Sequence, residues 1–246
     1  VQNYSVENIF AYAWSLLAKN PVIIVPGLVV GFVVSAIEIL IGLVAPQGLP
    51  AGPSVIVAAL ASAGFLVTET GTTAMAGAAW QNGTTSLADG IAAFRAAGRR
   101  MLATMLIIAA VVIIVVPATA LLLTQIVGAG PGFIIVVTAC VVLAFYAIYI
   151  VPAVVLDHLG ARAALLRSAT IARQRVLATI AIIVMLGVVS FVASLLKVPL
   201  AFIPLLGPIV SAVLSQAITA YATLVIVGEY LNVRGTPEII AAGSPL

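Results

Sequence analysis

Six stretches of the chain are continuously apolar and contain no Lys or Arg: about 21–45, 54–79, 101–124, 131–156, 176–196 and 208–231. A helix needs about 20 apolar residues to cross a bilayer core of about 30 Å, and each stretch reaches that length. A transmembrane barrel would show short segments of alternating polarity instead. Backbone groups in lipid must find partners within their own segment, so uninterrupted runs of this kind predict helices.

The polar segments between the runs have a period of their own. Residues 5–18 predict an amphipathic helix with Val6, Phe10, Ala13 and Leu17 on one stripe and Glu7 and Ser15 off it. Tyr4, Tyr12 and Trp14 suit the membrane–water boundary. Residues 86–98 predict a second such helix: Leu87, Ile91, Phe94 and Gly98 share a face, and Ser86 with Asp89 fits a capping box. Residues 161–175 are helical in composition, but their four arginines do not gather on one face.

Spacing also reveals an internal repeat. Arg100-Met101-Leu102-Ala103-Thr104 reads onto Arg175-Val176-Leu177-Ala178-Thr179, a shift of 75 residues, and Ile107-Ile108 reads onto Ile182-Ile183. Asn82, Asp157 and Asn232 recur at the same shift, and Trp80 matches Tyr230 at twice that shift. Lys19 is the first-copy counterpart of Arg100, slipped to a separation of 81. The unit is a lead-in helix, a basic anchor, a span out, a span back and a polar turn. Three copies, at about 1–82, 83–157 and 158–232 with a tail at 233–246, make one membrane domain over 1–246. The expected fold is all-α, with six transmembrane helices as three helical hairpins and interfacial helices on the cytoplasmic side. Copies of two spans share one orientation, unlike the inverted repeats of many secondary transporters.

Composition agrees with the pattern. Of 246 residues, 64% are hydrophobic and only 7% are charged, where a soluble domain carries about 25%. Mean hydropathy is +1.32. Water-soluble enzymes, disordered chains and nucleic-acid binders are excluded. One cysteine and one histidine leave no disulfide and no metal-ligand spacing, so neither a metal nor a cofactor is expected. Charge placement adds orientation. Lys19, Arg95, Arg99, Arg100, Arg162, Arg167, Arg173, Arg175 and Arg234 fall on one side of the predicted spans, and Lys197 alone falls on the other. The positive-inside rule then places both termini in the cytoplasm, in a bacterial inner (plasma) membrane. Arg95, Arg99, Arg100, Arg162, Arg167, Arg173 and Arg175 are the expected contacts for anionic lipid headgroups.

Gly83–Arg100, GTTSLADGIAAFRAAGRR, resembles the G-x-x-S-L-x-D-(G/A)-(I/L) segment of a loose group of bacterial and archaeal six-span membrane proteins. Val151–Arg175, with Pro152, Asp157, Ala164, Leu165 and Ser168, resembles that group's second segment. The group includes uncharacterised inner-membrane families and the membrane domain attached to some glycerophosphoryl diester phosphodiesterases. The resemblance covers about residues 80–180. It implies a six-helix integral membrane fold and no particular activity.

Candidate chemistry is sparse. Glu38 and Glu69 lie within predicted spans, where a charged acid costs about 2.5–3.5 kcal/mol or more. Protonation, pairing or a hydrated cavity is therefore expected at each. Glu69 sits in Thr68-Glu69-Thr70-Gly71-Thr72-Thr73, with Thr68, Thr72 and Thr73 as its candidate partners. Either an ion or proton site, or a protonated acid bonded to neighbouring hydroxyls, fits this run. Gly27, Gly31, Ser35 and Gly42 share a face with Glu38 and let another helix approach closely. Ser211, Ser215, Thr219 and Thr223 form an every-fourth hydroxyl stripe that suits helix contact. Asp157 and His158 close a span and read as a turn, not as an acid–base pair. No catalytic set accompanies them. The expected function is non-catalytic: an accessory or scaffold subunit that packs against other membrane protein subunits. The alternative is a transporter or channel for a small solute, ion or lipid, using the polar site around Glu69.

Overall fold

The computed structural model describes residues 4–44, 51–111, 114, 116–200, 202–203 and 206–234. Among them every element is helical. The order is α1 (Val6–Lys19), a 3-10 turn (Pro21–Ile24), α2 (Val25–Val44), α3 (Ala51–Asn82), α4 (Leu87–Ala110), α5 (Val116–Val127), α6 (Ala129–Ala147), α7 (Ile150–Leu156), α8 (Ala161–Gln174), α9 (Val176–Leu200) and α10 (Leu206–Val233). Among the described residues three helices are long and apolar enough to cross a membrane: Gly130–Leu156, Val176–Leu200 and Gly207–Val233. The pair Val6–Lys19 and Pro21–Ile37, bent by 90°, would make a fourth.

The breaks between helices follow from particular residues. Asn20 ends α1. Its amide Nδ2 donates to the carbonyls of Leu16 and Gly83, and its Oδ1 accepts the backbone N–H of Thr85. One side chain thus stops α1 and ties it to the turn before α4. Pro21 opens the 3-10 turn that redirects the chain through 90°. Between α4 and α5 the helix widens to π geometry at Val111 and Ile114, just ahead of Pro117. Pro152 cannot donate a helical bond, and α6 gives way to α7 at Ile148 and Tyr149, just before it. There the Ser168 hydroxyl of α8 accepts the Tyr149 N–H at 3.0 Å and donates to the Tyr146 carbonyl at 2.6 Å. A neighbouring hydroxyl satisfies the groups that the break leaves free.

The packed core sits at the arginine-rich end. There α3, α7 and α10 pack on one another, while α4 lies against α3, α8 against α7 and α1 against α10. Positions 75 residues apart share the interior: Met75, Ile150 and Val225 are buried, and so are Ala79, Val154 and Glu229. Chain continuity joins α3 to α4 and α7 to α8, but only contacts hold α1 on α10. Asn232 and Tyr4 exchange two hydrogen bonds of 3.1 Å, and the Tyr221 hydroxyl donates to the Phe10 carbonyl. Away from this end the helices present apolar side chains outward, among them Ile114, Leu121, Phe133, Ile134 and Phe191.

Two lead-in helices differ from expectation. The buried stripe of α1 is Ile9, Ala13, Leu16 and Leu17, so Val6 and Phe10 only flank it. The second lead-in helix is not a separate element. It runs without a break into the following apolar stretch as α4, opened by the Ser86–Asp89 capping box. The Ser86 N–H and hydroxyl, with the Thr85 hydroxyl, hold the Asp89 carboxyl below the usual carboxylate range. Gly90, Ala97, Met101 and Thr104 form the buried face of α4, while Leu87, Ile91 and Phe94 are exposed. Lipid is as apolar as leucine, so large side chains can point outward and small residues let two backbones meet. A Cβ added at Gly90 would lie 3.4 Å from the Gly71 Cα.

Candidate functional site

The most constrained polar groups lie under the arginine-rich face. Glu229, on the last turns of α10, is completely buried. Its Oε1 accepts from Arg175 Nε at 3.0 Å, and its Oε2 accepts from Asn232 Nδ2 at 3.3 Å. Asn232 passes the network on to Tyr4. The chain Arg175–Glu229–Asn232–Tyr4 therefore joins the α8–α9 corner, α10 and the residues ahead of α1. Close by, the Tyr149 hydroxyl meets the Thr179 hydroxyl at 3.1 Å, and both residues are buried.

A second network forms around Asp157, in the turn between α7 and α8. The Tyr230 hydroxyl donates to its Oδ2. Arg234 Nη1 lies 3.4 Å from Oδ1 and Arg167 Nη2 lies 3.7 Å from Oδ2. Arg167 also donates to the Arg234 carbonyl at 3.1 Å. Asp157 is thus a structural anchor. His158 follows it with a left-handed backbone (φ 55°) and faces outward.

The sequence-predicted sites are distributed differently. Arg167 is interior and ion-paired, so it is withdrawn from the headgroup set; burial of a cation demands a partner, and Asp157 supplies one. Arg175 is half-exposed but engaged with Glu229. Arg95, Arg99, Arg100, Arg162 and Arg173 are exposed, Arg173 lying over the Tyr146 ring at 5.5 Å from its centroid.

Glu69 falls between two contacts of α3 with α4. Gly71 meets Gly90 on one side of it. On the other, Ala61, Ser62, Phe65 and Leu66 line a cleft opposite Leu102, Met105 and Leu106. Glu69 is therefore level with the Arg95–Arg100 segment. Thr68, Thr70, Thr72 and Thr73 are buried beside it. The buried Thr70 hydroxyl beside it has no hydrogen-bond partner among the described residues. Glu38 and Gly42 both fall on α2, but their surroundings lie outside the described residues.

Of the glycine face on α2, Gly27 is used within the chain, because Gln216 of α10 fills the space a Cβ would need. Gly31 has open space beside it and Ser35 is exposed. The hydroxyl stripe of α10 turns inward on its own helix: Ser215, Thr219 and Thr223 each donate to the carbonyl four residues back. Their hydroxyls are thereby satisfied without a second helix.

Sequence reasoning missed Glu229, which lies inside the sixth apolar stretch, and therefore missed the pairing of Arg175. The signal was present: Glu229 stands 75 and 150 residues after Val154 and Ala79, two apolar positions of the repeat. An acid at an apolar repeat position implies a dedicated partner. Gly228, against which the Trp80 ring packs, was missed as well.

Three to four helices long and apolar enough to cross a membrane, with an apolar outer surface away from the packed core, mark an all-helical membrane protein. The chain belongs to the family described as "Domain of unknown function (DUF7847)", which it matches over residues 5–233. No curated protein and no solved structure matches it.

Proposed function

We propose that the protein is a non-catalytic accessory or scaffold subunit of a larger membrane assembly. In this reading it spans a bacterial inner membrane six times as three hairpin repeats, with the arginine-rich end and both termini in the cytoplasm. The shared burial at the 75-residue spacing supports the repeat, and the one-sided arginines support the orientation. One observation carries the subunit role. The Gly31–Ser35 face of α2 stays open: no described atom lies within 4 Å of a Cβ placed at Gly31, and Ser35 is exposed. Close helix packing uses a surface of this kind, and the described residues of the chain leave it unused.

A second reading rests on Glu69 and the neighbouring buried Thr70 hydroxyl, which lacks a partner among the described residues. They would serve a solute, ion or lipid conduit. One experiment separates the two. The protein is purified natively in mild detergent, with Gly31→Leu and Glu69→Gln in parallel, and each form is reconstituted into liposomes. The subunit role requires a stoichiometric partner with wild type that is lost with Gly31→Leu, and no solute flux from the chain alone. A solitary wild-type protein whose flux disappears in Glu69→Gln would replace it with the second reading.

A further inference from the structure

The cleft between α3 and α4 has a volume of about 570 Å³ and is almost wholly apolar. The two helices meet at Gly71 and Gly90 and leave a gap beyond that crossing, between Ser62, Phe65 and Leu66 on α3 and Leu102, Met105 and Leu106 on α4. Its open edge is formed by Leu102 and Leu106, and both are exposed. Arg95 and Arg99 occupy the same helical stripe as these two leucines, four and three residues apart in turn. Both arginines are exposed, and among the described residues neither has an acidic partner. Ten residues separate Arg99 from Ala109 at the far end of the cleft. At 1.5 Å per residue that is about 15 Å, the depth of one leaflet of a core about 30 Å thick.

We propose that this cleft is a binding site for one anionic phospholipid of the leaflet on the arginine-rich side. An acyl chain lies along Phe65, Leu66, Leu102 and Leu106, and the phosphate lies against Arg95 and Arg99. Charge selects the occupant, since the two exposed guanidinium groups outnumber Glu69, the acid of α3 level with them. A partner helix would need small residues or acids along this edge, whereas two guanidinium groups one leaflet above an apolar floor match a phosphate joined to a hydrocarbon chain. The site is independent of the subunit reading, which concerns α2. It also narrows the headgroup contacts to one pair of arginines on one groove.

The test is native mass spectrometry of the full chain in mild detergent, titrated with phosphatidylglycerol or with phosphatidylcholine of the same acyl chains. Wild type should bind the glycerol lipid about thirtyfold more tightly. A basic residue near a headgroup contributes a factor of about five, so Arg95→Ala with Arg99→Ala should weaken that binding about thirtyfold and leave the choline lipid little changed. Ala109→Trp, which fills the far end, should weaken both lipids. Arg162→Ala, on α8, should weaken neither. Equal binding of the two lipids by wild type would overturn the site. So would a loss with Arg162→Ala as large as that with the α4 pair, which would mean a diffuse basic surface.

Discussion

Arg175→Met should lower the melting temperature of the detergent-solubilised protein by about 10 °C. Glu229 is completely buried, and its carboxylate keeps only Asn232 once the guanidinium is gone. Stranding one partner of a buried pair costs about 3–5 kcal/mol. Arg175 is itself 41% exposed, which places the pair near the lower figure through solvent screening. For a chain of this length each kcal/mol is worth about 2–4 °C. The reverse change should be milder. Glu229→Gln keeps a hydrogen-bonding side chain beside Asn232 and leaves a half-exposed arginine that can turn to water, at a cost of about 1 kcal/mol. The double variant Arg175→Met with Glu229→Leu should recover most of the loss, since an apolar pair of similar volume often replaces a buried ion pair without penalty. Strictly additive losses in the double variant, read by thermal unfolding of all three proteins, would contradict the assigned pairing.

The second large effect concerns α1. Ile9 and Leu16 are buried in the same cluster as Leu224, Val225 and Val227 of α10. No covalent link holds this helix on its partner. Truncating a buried Ile or Leu to Ala costs about 2–5 kcal/mol. Ile9→Ala with Leu16→Ala should therefore release α1 before the rest of the fold melts. The Trp14–Tyr221 edge contact would be lost, and limited proteolysis should cut between α1 and α2. Leu87→Ala removes as large a side chain from an exposed site and should leave the cleavage pattern unchanged. Equal protease resistance in both variants would show that α1 does not close the structure.

Helix positions were legible in the sequence because lipid enforces them. A continuous apolar run satisfies its backbone internally, and Pro117 and Pro152 mark where it breaks. Which face packs was not legible by the same rule. The Leu87–Ile91–Phe94 stripe of α4 follows the soluble-protein pattern, yet it points outward because the surroundings are themselves apolar. Asp157 read correctly as a turn residue, but Arg167 was taken as a surface charge since nothing local shows that it folds back on that acid. Glu229 escaped notice because hydropathy averages over a single acid in a run of 24 residues, and only the repeat register exposes it. Glu69 read as lying within a predicted span, and its place level with the arginines of α4 was not legible, because only the packing of α3 on α4 sets the two helices against each other.

The proposed topology has six crossings with the arginine-rich end in the cytoplasm. Single cysteines in a Cys140→Ser background, probed in intact cells with a membrane-impermeant maleimide, test this directly. Cysteines at Ser86 and Gly160 should label only after the cytoplasmic side is opened, and cysteines at Gly128 and Phe202 should label from outside. Labelling of Gly128 and Phe202 from opposite sides, or of Ser86 from outside, would contradict it.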